Sequence, residues 1–152
     1  MQIPPEDFGA QSQLNPEQHH AFIKIMQTID AGTTAIFFVY GPGGTGKTYI
    51  YHALLINVRS RGMIGLATAT SGIAASILLG GRIAHSRFEI PFQMSESTMT
   101  NMSKQSCASK LFRKAKVIIW DEAPMSRTKT IETVDKSFRD IMDIDKPFRC
   151  YQ

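Results

Sequence analysis

The sequence has 152 residues, of which 43% are hydrophobic and 20% are charged, and its formal net charge is +4. This is the length and composition of one globular domain, and no apolar stretch is long enough to cross a membrane. The two cysteines, Cys107 and Cys150, have neither metal-binding spacing nor a disulfide framework, so a reduced intracellular protein is expected. The mild basic excess permits a polyanionic partner without requiring one.

The first predicted elements are a helix and a buried strand. Residues 1–13 contain two prolines and are interpreted as an N-terminal lead-in segment, which leaves 14–152 as the domain. The stretch LNPEQHHAFIKIMQTI predicts a helix with Asn15 as its N-cap and Pro16 in its first turn. The stretch TTAIFFVY at 33–40 is short, apolar and rich in aromatic residues, as in a fully buried strand.

Helices and strands alternate along the rest of the chain. The later predicted elements are a helix at 47–58, a strand at 63–69, a helix at 71–79, an exposed polar loop at 93–109, a strand at 115–120 and an amphipathic helix through Ile131, Val134, Phe138 and Ile141. This alternation predicts an α/β fold with a mainly parallel sheet and helices on both faces.

The stretch GPGGTGKT at 41–48 lies between a predicted strand and a predicted helix. In that context G-x-x-x-x-G-K-[ST] is the phosphate loop of nucleotide-binding proteins, and a glycine-rich connection with an incidental lysine is the weaker interpretation. Its backbone N–H groups would cradle the phosphates, Lys47 would reach the β- and γ-phosphates, and the Thr48 hydroxyl would bind Mg²⁺. The predicted nucleotide-binding residues of this loop are Gly41, Pro42, Gly43, Gly44, Thr45, Gly46, Lys47, Thr48 and Tyr49.

Two adjacent carboxylates end the predicted strand VIIW. In open parallel sheets ligands bind at the carboxyl ends of strands, so Asp121 and Glu122 should face the same crevice as the phosphate loop. Asp121 is suited to hold the Mg²⁺ shell, and Glu122 to act as the catalytic base that deprotonates an attacking water, with Lys47 as the other catalytic residue. Capping of the next helix is the alternative role for such acids, but it does not explain two of them here.

Together, the segments LNPEQ, GPGGTGKT, ATSGIAASILLGGRIAHSRFEIP and IIWDEAPM resemble the Pif family of superfamily-one DNA helicases. The resemblance covers the chain from Leu14 to about Phe148 and is greatest to plant members related to rolling-circle transposon helicases. It implies a RecA-like phosphate-loop domain, Mg·ATP as cofactor, single-stranded DNA as partner, and 5′-to-3′ helicase activity. It also implies roles in DNA repair, recombination and telomere maintenance, in the nucleus or alternatively the mitochondrion.

The resemblance assigns three further groups of residues. Gln18 would read the adenine ring, although its position three residues after Asn15 equally suits a capping box. Thr70, Ser71 and Gly72 would grip phosphates of the DNA strand, with Ser71 able to cap the following helix as well. His85, Ser86 and Phe88 match a segment beside the strand, where stacking and phosphate contact are expected.

The family continues beyond the acidic strand with a sensor element and a second motor domain, which the given sequence does not include. We therefore expect residues 1–152 to represent the first motor domain only, with weak or no activity alone. A non-catalytic remnant that holds ATP or a protein partner is the competing interpretation, and an independent ATPase or kinase is a third.

Overall fold

The computed structural model describes residue 9, residues 11–95 and residues 97–144. In chain order the elements are α1 (Pro16–Asp30), α2 (Lys47–Ser60), β1 (Ile64–Ala69), α3 (Gly72–Ile77), β2 (Arg82–Ile83), α4 (Ala84–Arg87), α5 (Cys107–Lys114), β3 (Ala115–Asp121) and α6 (Thr128–Met142). Most of the predicted lead-in segment at 1–13 lies outside the described residues, as does Phe148.

The three strands form one parallel sheet in the order β2-β1-β3. Within it, Leu66 pairs with Ile118 and Ala67 pairs with Ile119. Because successive side chains of a strand point to opposite faces, these two pairs supply opposite faces of the sheet. β1 and β3 also end in register, with Ala69 opposite Asp121, so their carboxyl ends share one edge.

Helices cover both faces of this sheet, as the sequence predicts. On one face α1, α2 and α3 bury an apolar cluster that includes Phe22, Leu55 and Ala74 together with Ala67 and Ile119 of the strands. On the other face a second cluster, from α5, α6 and the residues around α4, packs against Leu66, Ile118 and Trp120; its members include Phe88, Phe112, Val134, Phe138 and Ile141. The α/β prediction with a mainly parallel sheet is therefore confirmed.

Helix α1 begins where the sequence places it. The Asn15 side chain accepts a hydrogen bond from the Gln18 N–H, and the Gln18 side chain accepts one from the Asn15 N–H, which is a complete capping box. Pro16 occupies the first turn, where its missing N–H costs nothing. The capping box fixes Gln18 at the helix start, beside the phosphate loop.

The predicted strand at 33–40 is wrong in this structure. Within the described residues, 36–40 make no backbone hydrogen bond and have no regular secondary structure. Phe37 and Val39 pack against the first apolar cluster, whereas Phe38 and Tyr40 are 48% and 83% exposed. The side chains thus alternate as in a strand, but a strand also needs a neighbour to pair with its N–H and C=O groups, and the described residues place none there.

Two helices differ from the prediction. α3 ends at Ile77, because Leu78 leaves the helical conformation at ψ 140°, so Leu78 and Leu79 are not helical as expected. α5 begins inside the predicted exposed loop, with the Ser106 side chain capping it by accepting from the Ser109 N–H at 3.1 Å. Among the described residues, none of the helices is long and apolar enough to span a bilayer.

Candidate nucleotide and DNA site

The phosphate loop contains backbone conformations that favour glycine. Gly44 and Gly46 adopt positive φ values of 80° and 75°, which side chains rarely tolerate. A Cβ on Gly46 would lie 2.6 Å from the Gln18 amide nitrogen, and one on Gly41 would lie 2.6 Å from the Thr45 hydroxyl. Gly44 is therefore favoured by backbone conformation, Gly41 by close packing and Gly46 by both, and α2 starts immediately after the loop at Lys47.

The Lys47 ammonium lies across this loop. Its Nζ donates to the carbonyl oxygens of Gly41 at 2.7 Å and Pro42 at 3.1 Å, and the Thr45 hydroxyl also donates to the Pro42 carbonyl at 2.8 Å. Carbonyl oxygens are neutral acceptors, and a phosphate oxygen is a stronger, charged one. The lysine is thus held where an anion entering the loop would take its hydrogen bonds.

Gln18 connects α1 to the phosphate loop. Its amide nitrogen donates to the Thr45 carbonyl at 2.8 Å, while its oxygen completes the capping box by accepting from the Asn15 N–H at 2.9 Å. Both ends of the amide are engaged within the protein, so an adenine ring would have to exchange with one of these partners. The capping interpretation is confirmed, and the adenine role stays a prediction.

Asp121 is the last residue of β3, a strand that packs against α2. Tyr51 lies in the second turn of the phosphate-loop helix, and burial, followed by the charge of Asp121, raises its pKa to about 12. The Asp121 carboxylate also accepts the Glu122 N–H at 2.9 Å. The predicted convergence of the acidic pair on the phosphate loop stays a prediction, and the electrostatic effect of Asp121 on Tyr51 is in keeping with it.

The donor set suits Mg²⁺ chemically. The Thr48 hydroxyl and the Asp121 carboxylate are hard oxygen ligands, and Mg²⁺ in nucleotide sites is typically held by one or two such groups together with phosphates and waters. Thr48 lies half-buried on the first turn of α2, and Asp121 is the last residue of β3. These two residues would hold the ion, which would supply neutralisation of phosphate charge.

Glu122 adopts a conformation that is rare for its residue type. Its φ of 56° and ψ of 26° are left-handed, a strain of the kind that concentrates at functional sites. Its carboxylate accepts the Ser71 N–H at 3.3 Å. The side chain predicted to be the base is therefore in contact with the segment predicted to bind DNA, 51 residues earlier in the chain.

Thr70 is the centre of a network that the sequence did not reveal. Its hydroxyl donates to the Glu122 carbonyl at 2.9 Å, accepts from the Trp120 indole N–H at 3.1 Å and lies 2.9 Å from the Ser126 hydroxyl. In addition, the Thr70 N–H donates to the Asp121 carbonyl at 3.1 Å. Trp120 and Ser126 were missed as site residues because their only sequence signal is that they flank the acidic pair.

Of the remaining residues predicted to contact DNA, some are exposed on the surface and one is buried in the core. His85 and Ser86 are exposed on α4, and Gly72 is exposed at the start of α3, whereas the Ser71 hydroxyl caps α3 by accepting the Ala74 N–H at 3.2 Å. Phe88 is only 1% exposed, with its ring centroid 5.1 Å from that of Trp120. Its ring cannot reach a DNA base from there, so the expected stacking is corrected to a packing role.

The family follows from comparison of the whole chain with known proteins. The sequence model of the PIF1-like helicases matches residues 13–152. The chain belongs to the PIF1-like helicase family. Solved structures of similar fold agree with this assignment. The chain superimposes with a TM-score of 0.69 and 27% identity on a structure of two coordinating Pif1 helicases unwinding forked DNA. This superposition covers 89% of the present chain and 31% of that one.

A second solved structure, Bacteroides Pif1 bound to single-stranded DNA, matches with a TM-score of 0.67 and 26% identity over 90% of this chain and 30% of its own. Curated relatives agree. The ATP-dependent DNA helicase Pif1 of Psychrobacter sp. (strain PRwf-1) is 30% identical over 73% of this chain and 17% of its own length. PIF3 of Trypanosoma brucei brucei, also an ATP-dependent DNA helicase, is 32% identical over 67% of this chain and 12% of its own length.

The fractions of the matched chains that are covered show how far the similarity extends. The chain corresponds to about a third of the solved Pif1 chains and to less than a fifth of the curated helicases. What it shares with the PIF1-like helicases is the RecA-like domain that carries the phosphate loop and the acidic strand.

Proposed function

We propose that this domain binds and hydrolyses ATP and couples the hydrolysis to movement along single-stranded DNA, as part of a 5′-to-3′ DNA helicase. The contact of the Ser71 N–H with the Glu122 carboxylate at 3.3 Å carries this proposal. This hydrogen bond joins the nucleotide site to the segment proposed to bind DNA. A movement of the Ser71 backbone would therefore shift the Glu122 carboxylate, and a movement of Glu122 would shift Ser71.

Each residue has a role in this proposal. Lys47 and the loop N–H groups bind the β- and γ-phosphates, and Thr48 and Asp121 hold Mg²⁺. Glu122 takes a proton from the attacking water, and Gln18 reads the adenine. Thr70, Ser71 and Gly72, with His85 and Ser86, bind phosphates of the strand.

The finer assignments rest on the sequence resemblance alone. They are membership of the plant, rolling-circle-transposon-like subgroup, roles in DNA repair, recombination and telomere maintenance, and location in the nucleus or the mitochondrion. The curated relatives are ATP-dependent DNA helicases, which supports the reaction class from which these assignments follow.

The test is ATP hydrolysis by the purified chain with and without single-stranded DNA, for the wild type and for Glu122→Gln. The amide keeps the shape of the side chain but accepts no proton, so hydrolysis should fall by a factor of about 10²–10⁴ while Mg·ATP binding remains. Glu132→Gln, an exposed glutamate on α6, is the matched control. Hydrolysis that survives in Glu122→Gln would show that Glu122 is not the base.

The same assay separates the competing functions. Stimulation of hydrolysis by DNA in the wild type supports the motor domain. ATP binding without turnover indicates a non-catalytic remnant, and turnover that DNA does not change indicates an ATPase without a nucleic-acid role.

A further inference from the structure

Two arginines cover the edge of β1 that β2 leaves open. β2 has only two residues and pairs with Thr68 and Ala69, so it does not extend along β1 as far as Gly65. The Arg59 guanidinium donates to the Gly65 carbonyl at 2.9 Å, and Arg87 donates to the Ala67 carbonyl at 3.3 Å. The Arg59 guanidinium thus takes the place of a strand partner at Gly65, and Arg87 adds a second guanidinium to this edge.

A third arginine adds to this positive charge. Burial lowers the pKa of Arg87, and the charges of Arg82 and Arg59 lower it further, which means that three guanidinium groups lie within electrostatic reach of one another. Within the described ranges none of the three forms an ion pair with a carboxylate. The buried Nε of Arg87 also has no hydrogen-bond partner among the described residues. The cluster is therefore short of negative charge.

An open cavity of about 230 Å³ lies against this cluster. Arg82, Ser86, Arg87 and Glu89 line one side, and the opposite wall is the first half of α5, beginning at Cys107. Arg82 and Ser86 are exposed, so their guanidinium and hydroxyl groups are free to take a ligand from solvent. Glu89 is the acidic group of the lining and opposes an anion.

We propose that this cavity binds a phosphate group of the DNA strand, through the Arg82 guanidinium and the Ser86 hydroxyl, with Arg87 as a fixed positive charge behind them. The planar fork of a guanidinium matches two phosphate oxygens, and a hydroxyl supplies a third donor. The site extends the DNA path from Thr70, Ser71 and Gly72 along α4 to α5. It rests on the proposed function, because the phosphate is assigned to a nucleic-acid strand rather than to the nucleotide.

Paired charge variants test this site. Arg82→Gln should weaken binding of a labelled oligo(dT) about three- to tenfold and reduce the slope of log K against log salt by about 0.7, the share of one phosphate on a single strand. Glu89→Gln should strengthen binding, because it removes the opposing charge. Lys129→Gln and Glu132→Gln make the same charge changes on α6, at a separate surface cavity, and should have little effect.

The outcomes distinguish the two levels of the proposal. If the wild type binds oligo(dT) and Arg82→Gln behaves like Lys129→Gln, the cavity is not a phosphate site although the DNA role stands. If Arg82→Gln weakens binding of a fluorescent ATP analogue instead, the phosphate belongs to a nucleotide and this assignment is overturned. A wild-type chain that does not bind oligo(dT) overturns both the DNA role and the phosphate site.

Cys107 provides a second readout from inside the cavity. It is exposed and lines the wall formed by α5, so its alkylation rate reports whether the cavity is covered. In a Cys150→Ser background, saturating oligo(dT) should slow alkylation of Cys107 by a neutral maleimide several-fold, and Arg82→Gln should reduce that protection at the same strand concentration. An unchanged alkylation rate under saturating strand would show that DNA does not pass over the cavity.

Discussion

The Lys47 ammonium is bound by two carbonyl oxygens of its own loop, those of Gly41 and Pro42. ATP offers charged oxygens in their place, and a hydrogen bond to a charged group contributes about 1.5–3 kcal/mol. We therefore expect Lys47→Ala to weaken ATP binding by a factor of roughly 10–100. A titration with a fluorescent ATP analogue measures this, with Lys110→Ala on the exposed face of α5 as the control. Equal affinities for the two variants would contradict the assignment of the loop.

Tyr51 makes the stability of the domain sensitive to alkaline pH. Its pKa is raised from 10.0 to about 12, first by burial and then by the charge of Asp121. The folded state therefore keeps the tyrosine proton at pH values where the unfolded chain loses it, so this stabilisation is fully present below about pH 10 and is lost as the pH rises toward 12.

Tyr51→Phe should remove this dependence because phenylalanine has no proton to lose. Between about pH 9 and pH 11.5, the free energy of unfolding measured in urea should fall by on the order of 1–2 kcal/mol more for the wild type than for the variant. Tyr49→Phe is the matched control, since Tyr49 lies two residues away and is 52% exposed. A wild type and Tyr51→Phe with parallel alkaline profiles would show that this hydroxyl does not set the limit.

At the scale of elements, the Thr70 hydroxyl joins the end of β1 to the end of β3. It binds Trp120, the Glu122 carbonyl and Ser126, so Thr70→Val leaves these partly buried groups without their shared partner at nearly constant volume. We expect a loss of about 1–3 kcal/mol in the free energy of unfolding, and slower hydrolysis because Glu122 is held less firmly.

The single tryptophan of the sequence, Trp120, reports on this network directly. Loss of its hydrogen bond to Thr70 should change the wavelength of its emission, and binding of DNA at Thr70 and Ser71 should change the emission of the wild type but not of Thr70→Val. Thr128→Val, at the exposed start of α6, controls for the loss of a threonine hydroxyl. An emission spectrum that is identical in all three proteins would contradict the role of Thr70.

Local patterns in the sequence predict the parts of this site that are themselves local. The capping box of Asn15 and Gln18, the glycines of the phosphate loop and the acidic end of β3 each consist of residues that are near neighbours in the sequence, and each is found in the structure. The two-residue strand β2 and the short helix α4 were not predicted, because elements of that length have no hydrophobic period.

At the scale of the whole molecule, what the sequence did not predict depends on contacts between distant segments. Thr70 meets Glu122 across 52 positions, and Phe88 is buried because rings from α5 and α6 surround it. The predicted strand at 33–40 was wrong because such a contact between distant segments is missing there among the described residues. Its composition is that of a buried strand, but strand formation requires a partner that composition cannot supply.

The open side of the sheet has a consequence for how this domain behaves at high concentration. Within the described residues β3 is paired on one edge only, by β1, and the apolar stretch at 36–40 shows the rings of Phe38 and Tyr40 to solvent. Unpaired N–H and C=O groups at a sheet edge can pair with a strand of a second molecule, and exposed aromatic rings add apolar surface that favours association. The isolated domain should therefore self-associate with a rate that rises steeply with protein concentration, with this edge as the seam between molecules.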